Sequence, residues 1–165
     1  MPHGSIRIVM PVSCEAVFQR LHDYEQRLKW DTLLQEARLT DGWMSAQKGA
    51  VSICRGRGLL SMFAIKTEYV TFRPPVVAAV RMINQPLCFA AFAATIRHTA
   101  AGPSESVLEY TYHFRARPVW LTWLLHPVMA CIFQVETKKR LQALSRFLAD
   151  EAAVEPELDD RRDTP

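Results

Sequence analysis

The sequence predicts an α+β domain in which a curved antiparallel sheet of six or seven strands is gripped around one long C-terminal helix. Three observations carry this. A single strand-like segment, Ser5 to Pro11, passes at once into helical sequence, Cys14 to Trp30. Strand and turn patterns then fill the chain as far as Pro118. The chain closes on one long amphipathic helix, about Pro127 to Asp150. A sheet of that extent needs an apolar cover, and only the terminal helix is long enough to supply it. A hollow between the two points to a ligand.

Ser5-Ile-Arg-Ile-Val-Met-Pro alternates, with Ile6, Ile8 and Met10 on one face and Arg7 on the other. Pro11 ends this strand. Ser13 is a good N-cap, but Ala16 stands where a capping box would place Glu. Val17, Leu21, Tyr24 and Leu28 follow at helical steps, and Asp23 marks a break between two short helices. Leu33 to Leu39 reads as a strand and Asp41-Gly42 as a turn. Gly49 to Arg57 is the next strand, with Arg55-Gly-Arg-Gly58 as a flexible hairpin turn.

Ser61 to Phe72 sets Phe63, Ile65 and Tyr69 opposite Lys66 and Glu68, and Pro74-Pro75 breaks it. Val76 to Asn84 turns Val76, Ala78, Val80 and Met82 away from Arg81. After the Gln85-Pro86 turn, Phe89 to Thr99 sets Phe92, Ala94 and Ile96 opposite Arg97. Ala101-Gly-Pro-Ser104 is a turn. Glu105 to Arg117 has the clearest alternation: Leu108, Tyr110, Tyr112 and Phe114 against Glu109, Thr111, His113 and Arg115. Strands joined by short turns make an antiparallel meander.

Val119 to Val135 is almost wholly apolar and about long enough to span a bilayer, but His126 and Pro127 interrupt its middle. It reads as a short helix through Leu125 and a longer one with Pro127 in its first turn. Phe133, Thr137, Leu141, Leu144 and Leu148 then form one stripe, opposed by Gln134, Lys138, Gln142 and Arg146.

At 165 residues, 49% of them apolar, the chain suits one globular domain over 1–150. Residues 151–165 read as an acidic, disordered tail. From Asp150 onward seven acids face two arginines, which leaves residues 1–149 with ten acids, eighteen Lys and Arg, and a net +8. A basic body favours an acidic ligand or membrane surface. Its basic residues are scattered and mostly single, which argues against nucleic acid. The N-terminus shows no signal-peptide pattern, and Cys14, Cys54, Cys88 and Cys131 have no C-x-x-C spacing. Free thiols in a reducing cytoplasm are expected.

The order strand, two helices, meander, long helix is the helix-grip arrangement. The chain resembles the START-like (SRPBCC) superfamily, in particular its bacterial polyketide cyclase/dehydrase and lipid-transport branch. The residues that carry the resemblance are Ser5-Ile-Arg-Ile, then Pro11-Val-Ser-Cys-Glu-Ala-Val-Phe, Leu21-His-Asp-Tyr and Trp30, with a weaker match at Glu136-Thr-Lys-Lys-Arg-Leu-Gln-Ala-Leu. The resemblance implies a cavity between sheet and helix that holds lipids, quinones, sterols or aromatic polyketides. It carries over no catalytic set and no cofactor.

Strand parity then nominates the lining: Phe63, Ile65, Tyr69, Met82, Phe92, Tyr110, Tyr112 and Phe114, with Trp30, Met129 and Phe133 closing the ends. His98 shares parity with Phe92 and Ile96, so it is a candidate to orient a ligand. The alanines at 78, 90, 91, 93 and 94 leave room beside the aromatics. The Gly102-Pro103 turn pairs His98 with a residue near 108, far from His113, which excludes a metal site there. No nucleophilic triad or phosphate loop is present.

Three functions follow. The first is binding or carriage of a hydrophobic small molecule. The second is a cyclase or dehydratase acting in the same cavity. The third is a protein-interaction module using the apolar 119–133 surface. Trp120 to Phe133 exceeds what one sheet can bury, so a patch is expected for self-association, a protein partner or peripheral lipid contact, with self-association favoured.

Overall fold

The computed structural model describes residues 3–62, 64–86 and 89–160. β1 (His3–Met10) leads into α1 (Cys14–His22) and the one-turn α2 (Arg27–Trp30). β2 (Leu34–Leu39), β3 (Val51–Gly56), β4 (Ala64–Arg73), β5 (Val77–Met82), β6 (Phe89–Gly102) and β7 (Glu105–Ala116) follow, and α3 (Thr122–Asp160) ends the fold. Among the described residues the strands form one seven-stranded sheet in the order β1-β7-β6-β5-β4-β3-β2. Every neighbouring pair is antiparallel. This is the helix grip expected from the order of elements.

Local chemistry sets the boundaries. The Ser13 hydroxyl accepts from the Ala16 amide at 3.3 Å and caps α1. Asp23 Oδ1 accepts from the amides of Glu25 and Gln26 at 3.1 and 3.2 Å, an Asx-type turn that separates α1 from α2. The β6–β7 register places His98 opposite Leu108 and His113 opposite Ala93, as the turn requires. Register shifts at Leu34/Glu36, Tyr69/Thr71 and Phe89/Ala91 are bulges, and bulges bend a sheet. Gly4 pairs with Tyr112, and a Cβ there would sit 2.5 Å from the Tyr112 ring. The ring lies over the glycine and holds β1 against β7.

Alternation sends Met10, Leu108, Tyr112 and Phe114 into the main core, where Leu141, Leu144 and Leu148 of α3 meet them. A smaller cluster of Phe18, Ala50, Tyr69 and Ala78 sits where α1 crosses the sheet.

Several boundaries differ from expectation. Arg55 is not in a hairpin turn: it lies in β3 and donates to Glu36 at 3.3 Å, and a 3-10 turn, Gly58–Met62, makes the link. The short helix through Leu125 is replaced by a 3-10 turn at Val119–Leu121, and α3 runs on continuously from Thr122. Pro127 therefore lies in its second turn, where it forgoes one bond to the Trp123 carbonyl. The helix end expected at Asp150 is also corrected, because α3 continues to Asp160. Arg20 Nη2 anchors the first residue of the extension, donating to both Glu151 oxygens at 2.7 and 2.8 Å. Leu28 faces solvent, since one turn of α2 buries only Arg27 and Trp30.

Candidate functional site: a cavity beneath α3

A cavity of about 310 Å3 lies between the concave face of the sheet and α3. The strands contribute alternate residues, and the helix contributes one flank. Of the expected lining, Ile65, Tyr69, Phe92, Tyr110, Met129 and Phe133 are on its wall. Phe63 lies outside the described residues.

Trp30, Met82, His98, Tyr112 and Phe114 are not on the wall. Trp30 is buried beneath the Arg27 guanidinium, which stands 4.6 Å from its ring centre. Met82 packs half-buried against the main core. His98 is buried at the α1 end, edge-on to Phe18 at 5.4 Å, and among the described residues neither of its ring nitrogens has a hydrogen-bond partner. Burial lowers its pKa to about 4, so it stays neutral. Tyr112 and Phe114 each lie 5.4 Å from Phe133, ring centre to ring centre. The Tyr112 hydroxyl donates to Gln134 Oε1 at 3.2 Å. Parity named the correct face of the sheet, but Phe133 fills the space over these two rings.

Sequence reasoning missed the polar end of the cavity. Arg27 and Arg140 are on the wall. Between them, the fully buried Asp31 accepts through one oxygen, Oδ2, from Arg27 Nε at 3.0 Å and from Arg140 Nε and Nη2 at 3.0 and 2.7 Å. Arg27 Nη1 donates to the Leu21 carbonyl. Burial works against the charge on Arg27, but Asp31 and the neighbouring tyrosines more than offset it and raise its pKa. Burial likewise pushes the Asp31 carboxyl up, yet Arg140 and Arg27 together hold it below the ordinary carboxylate value. Arg27 and Asp31 are therefore both ionised near neutral pH. The Arg27–Asp31 spacing, one helical turn, was legible in the sequence. The approach of Arg140 from α3, 109 residues further on, was not.

A second polar group lines the α1 side of the cavity. The Tyr69 hydroxyl lies 2.9 Å from His22 Nδ1 and 3.0 Å from the Tyr24 hydroxyl. Burial, with Arg27 and then His98 nearby, lowers the His22 pKa to about 3. Burial pushes the Tyr24 and Tyr69 hydroxyls up. The group is thus a chain of neutral donors and acceptors near neutral pH, suited to orienting a polar group rather than to exchanging protons. His22 and Tyr24 also border an open outer cleft of about 1310 Å3 between α1, the Met44–Ala46 loop and the far end of α3. Among the described residues no three His, Cys, Asp or Glu side chains converge as a metal site. Cys14, Cys54 and Cys131 are free thiols, and Cys88 lies outside the described residues.

The outer flank of the same helix is bare. Trp120 and Trp123 are each 75% exposed, and Leu124, Val128, Ile132 and Val135 are also exposed. Ile132 lies on the cavity wall as well, so this flank reaches the cavity's edge. The stretch Val119–Val154 is long and apolar enough, by length and composition, to cross a bilayer.

The fold is shared widely. Zhui aromatase/cyclase from a Streptomyces species superposes with a TM-score of 0.78 at 11% identity, covering 92% of this chain and 95% of that one. A START superfamily protein from Mycobacterium smegmatis matches with a TM-score of 0.75 at 10% identity, covering 90% and 97%. XoxI from Bacillus cereus matches with a TM-score of 0.73 at 17% identity, covering 92% and 99%. No curated protein matches the sequence significantly. A family described as polyketide cyclase / dehydrase and lipid transport matches residues 1–148. The opening motif, the seven-stranded grip and the cavity beneath α3 agree with that match, and the chain belongs to the polyketide cyclase/dehydrase and lipid-transport family of the START-like superfamily.

Proposed function

We propose that the protein binds or carries a hydrophobic small molecule, of the lipid, quinone, sterol-like or aromatic polyketide kind, in the cavity beneath α3. The observation that carries this is the cavity itself: about 310 Å3 remains open between elements whose side chains elsewhere pack to contact. Its wall is mostly apolar and aromatic, with a few convergent polar groups, which is the composition of small-molecule sites. Native mass spectrometry of the purified protein, followed by organic extraction, tests it. A co-purifying apolar molecule, or saturable binding of a naphthalene probe, supports the proposal. An empty protein that binds no such probe sinks it.

A second reading is a cyclase or dehydratase using the same cavity. The His22–Tyr69–Tyr24 chain favours it, since its hydroxyls supply hydrogen-bond donors for a substrate carbonyl inside the cavity. Tyr69→Phe separates the two readings. A carrier keeps its affinity for cargo, whereas an enzyme loses turnover while still binding substrate.

The bare flank of α3 suits contact with an anionic lipid surface during loading. Tryptophans stand at one end, Lys138 and Lys139 follow at the other, and the body is basic. Liposome flotation tests this. A stable dimer in sizing chromatography, without flotation, would assign the flank to self-association instead.

A further inference from the structure

The polar end of the cavity narrows the class of ligand. Arg27 and Arg140 converge on a single oxygen of Asp31, so two guanidinium charges meet one carboxylate. Arg27 is 8% exposed, Asp31 is fully buried and the Arg140 side chain is 17% exposed, so water screens the surplus only in part. Glu136 also reaches the wall, but Lys139 Nζ donates to it at 2.8 Å and offsets its charge. The interior therefore keeps one uncompensated positive charge, which is costly in a low-dielectric site unless an anion completes it. Donors remain for that anion. Among the described residues no hydrogen-bond partner is found for Arg27 Nη2, Arg140 Nη1 or the Tyr110 hydroxyl, and all three residues are on the wall.

We infer that the cavity takes an amphipathic monoanion: an apolar chain or ring bearing one carboxylate, its charged end held between Arg27 and Arg140. This rests on the reading of the cavity as a ligand site. One carboxylate balances the surplus charge, whereas a dianionic phosphate ester would overshoot it. The planar guanidinium fork matches carboxylate geometry. The apolar body lies against Phe92, Phe133 and Ile65. A volume of about 310 Å3 is at the small end of ligand sites, which favours a medium-length chain or a compact aromatic acid.

Calorimetry with dodecanoate, dodecanol and dodecyl phosphate tests the inference. Dodecanoate should bind about tenfold or more tightly than dodecanol, as expected of charge-assisted hydrogen bonds in a buried site. Arg140→Gln should reduce that advantage to about twofold or less and leave dodecanol unaffected. Equal binding of acid and alcohol to the wild type overturns the anionic end while leaving the cavity as a ligand site. Binding of none of the three, nor of a naphthalene probe, overturns the ligand site itself. Tighter binding of dodecyl phosphate overturns the carboxylate assignment. Should Arg140→Gln not fold, carboxyl-13C dodecanoate bound to the wild type answers the same question. Its resonance should titrate at a lower pH than that of the free acid, and a raised titration point overturns the inference.

Discussion

Between Thr137 and Leu148, α3 buries one stripe, with Leu141, Leu144 and Leu148 against the sheet and Lys138, Gln142 and Arg146 in solvent. Between Thr122 and Val135 the same helix is apolar on both flanks: Leu125, Met129 and Phe133 face the cavity, while Trp123, Val128 and Val135 face outward. The distal half packs as a lid helix normally does, on one stripe. The proximal half covers a hollow and presents a second apolar surface that the fold does not use. The leucines that anchor α3 to the sheet thus lie beyond Thr137, whereas most of the helix's share of the cavity wall lies before it.

Substitutions can break or sharpen this contrast. Leu144→Ala, at a site with no exposure, should cost about 4 kcal/mol in urea unfolding, toward the upper part of the Leu→Ala range. A cost as small as that of an exposed residue would remove the distal half from its anchoring role. Phe92→Ala should cost about 3 kcal/mol, because the ring stacks on Phe133 at 5.5 Å but borders space that is already open. It should also shift probe preference toward bulkier ligands. An unchanged preference would take Phe92 out of the site.

Acid tests the α1 wall of the cavity. His22 has an ordinary pKa of 6.5 when unfolded and about 3 when folded, and His98 falls from 6.5 to about 4. As pH drops below 6.5 the unfolded chain takes up protons that the folded chain refuses, so stability should fall progressively toward pH 3. Asp31, held below its ordinary 3.8 against the effect of burial, should add to the loss at the acid end. His22→Gln should flatten part of this slope, and an unaltered profile would show that His22 is not buried neutral. The smallest stability effect belongs to the proximal half: Trp123→Glu should change stability by less than about 0.5 kcal/mol. It should nevertheless abolish liposome flotation or self-association, whichever the wild type shows. If it unfolds the domain, Trp123 is a core residue and the contrast between the halves fails.

Period-2 alternation was strong enough in the sequence to place most strands, because a residue's face is set by the strand it belongs to. The Glu105–Ala116 strand differs by one residue from its expected extent. The cavity wall was legible only in part. Ile65, Phe92 and Tyr110 lie on the wall as parity suggested, while Tyr112 and Phe114 share the face but not the hollow, because Phe133 from α3 covers them. The length of α3 was underestimated because the anchor at Glu151 is Arg20, on another element.

What the sequence determined by itself was the architecture: one strand, two short helices, a meander and a terminal helix, in an order that admits few topologies. Periodicity, caps and turn residues are local signals, and a helix grip is assembled mostly from local choices. What only the tertiary structure decided was where the sheet and helix stay apart and which charges meet there. Arg27 and Asp31 are neighbours on one helical turn, but Arg140 joins them only after the whole sheet has curled around α3. Ion pairing across that distance in sequence leaves no periodic trace, because it depends on the approach of two elements and not on the pattern within either.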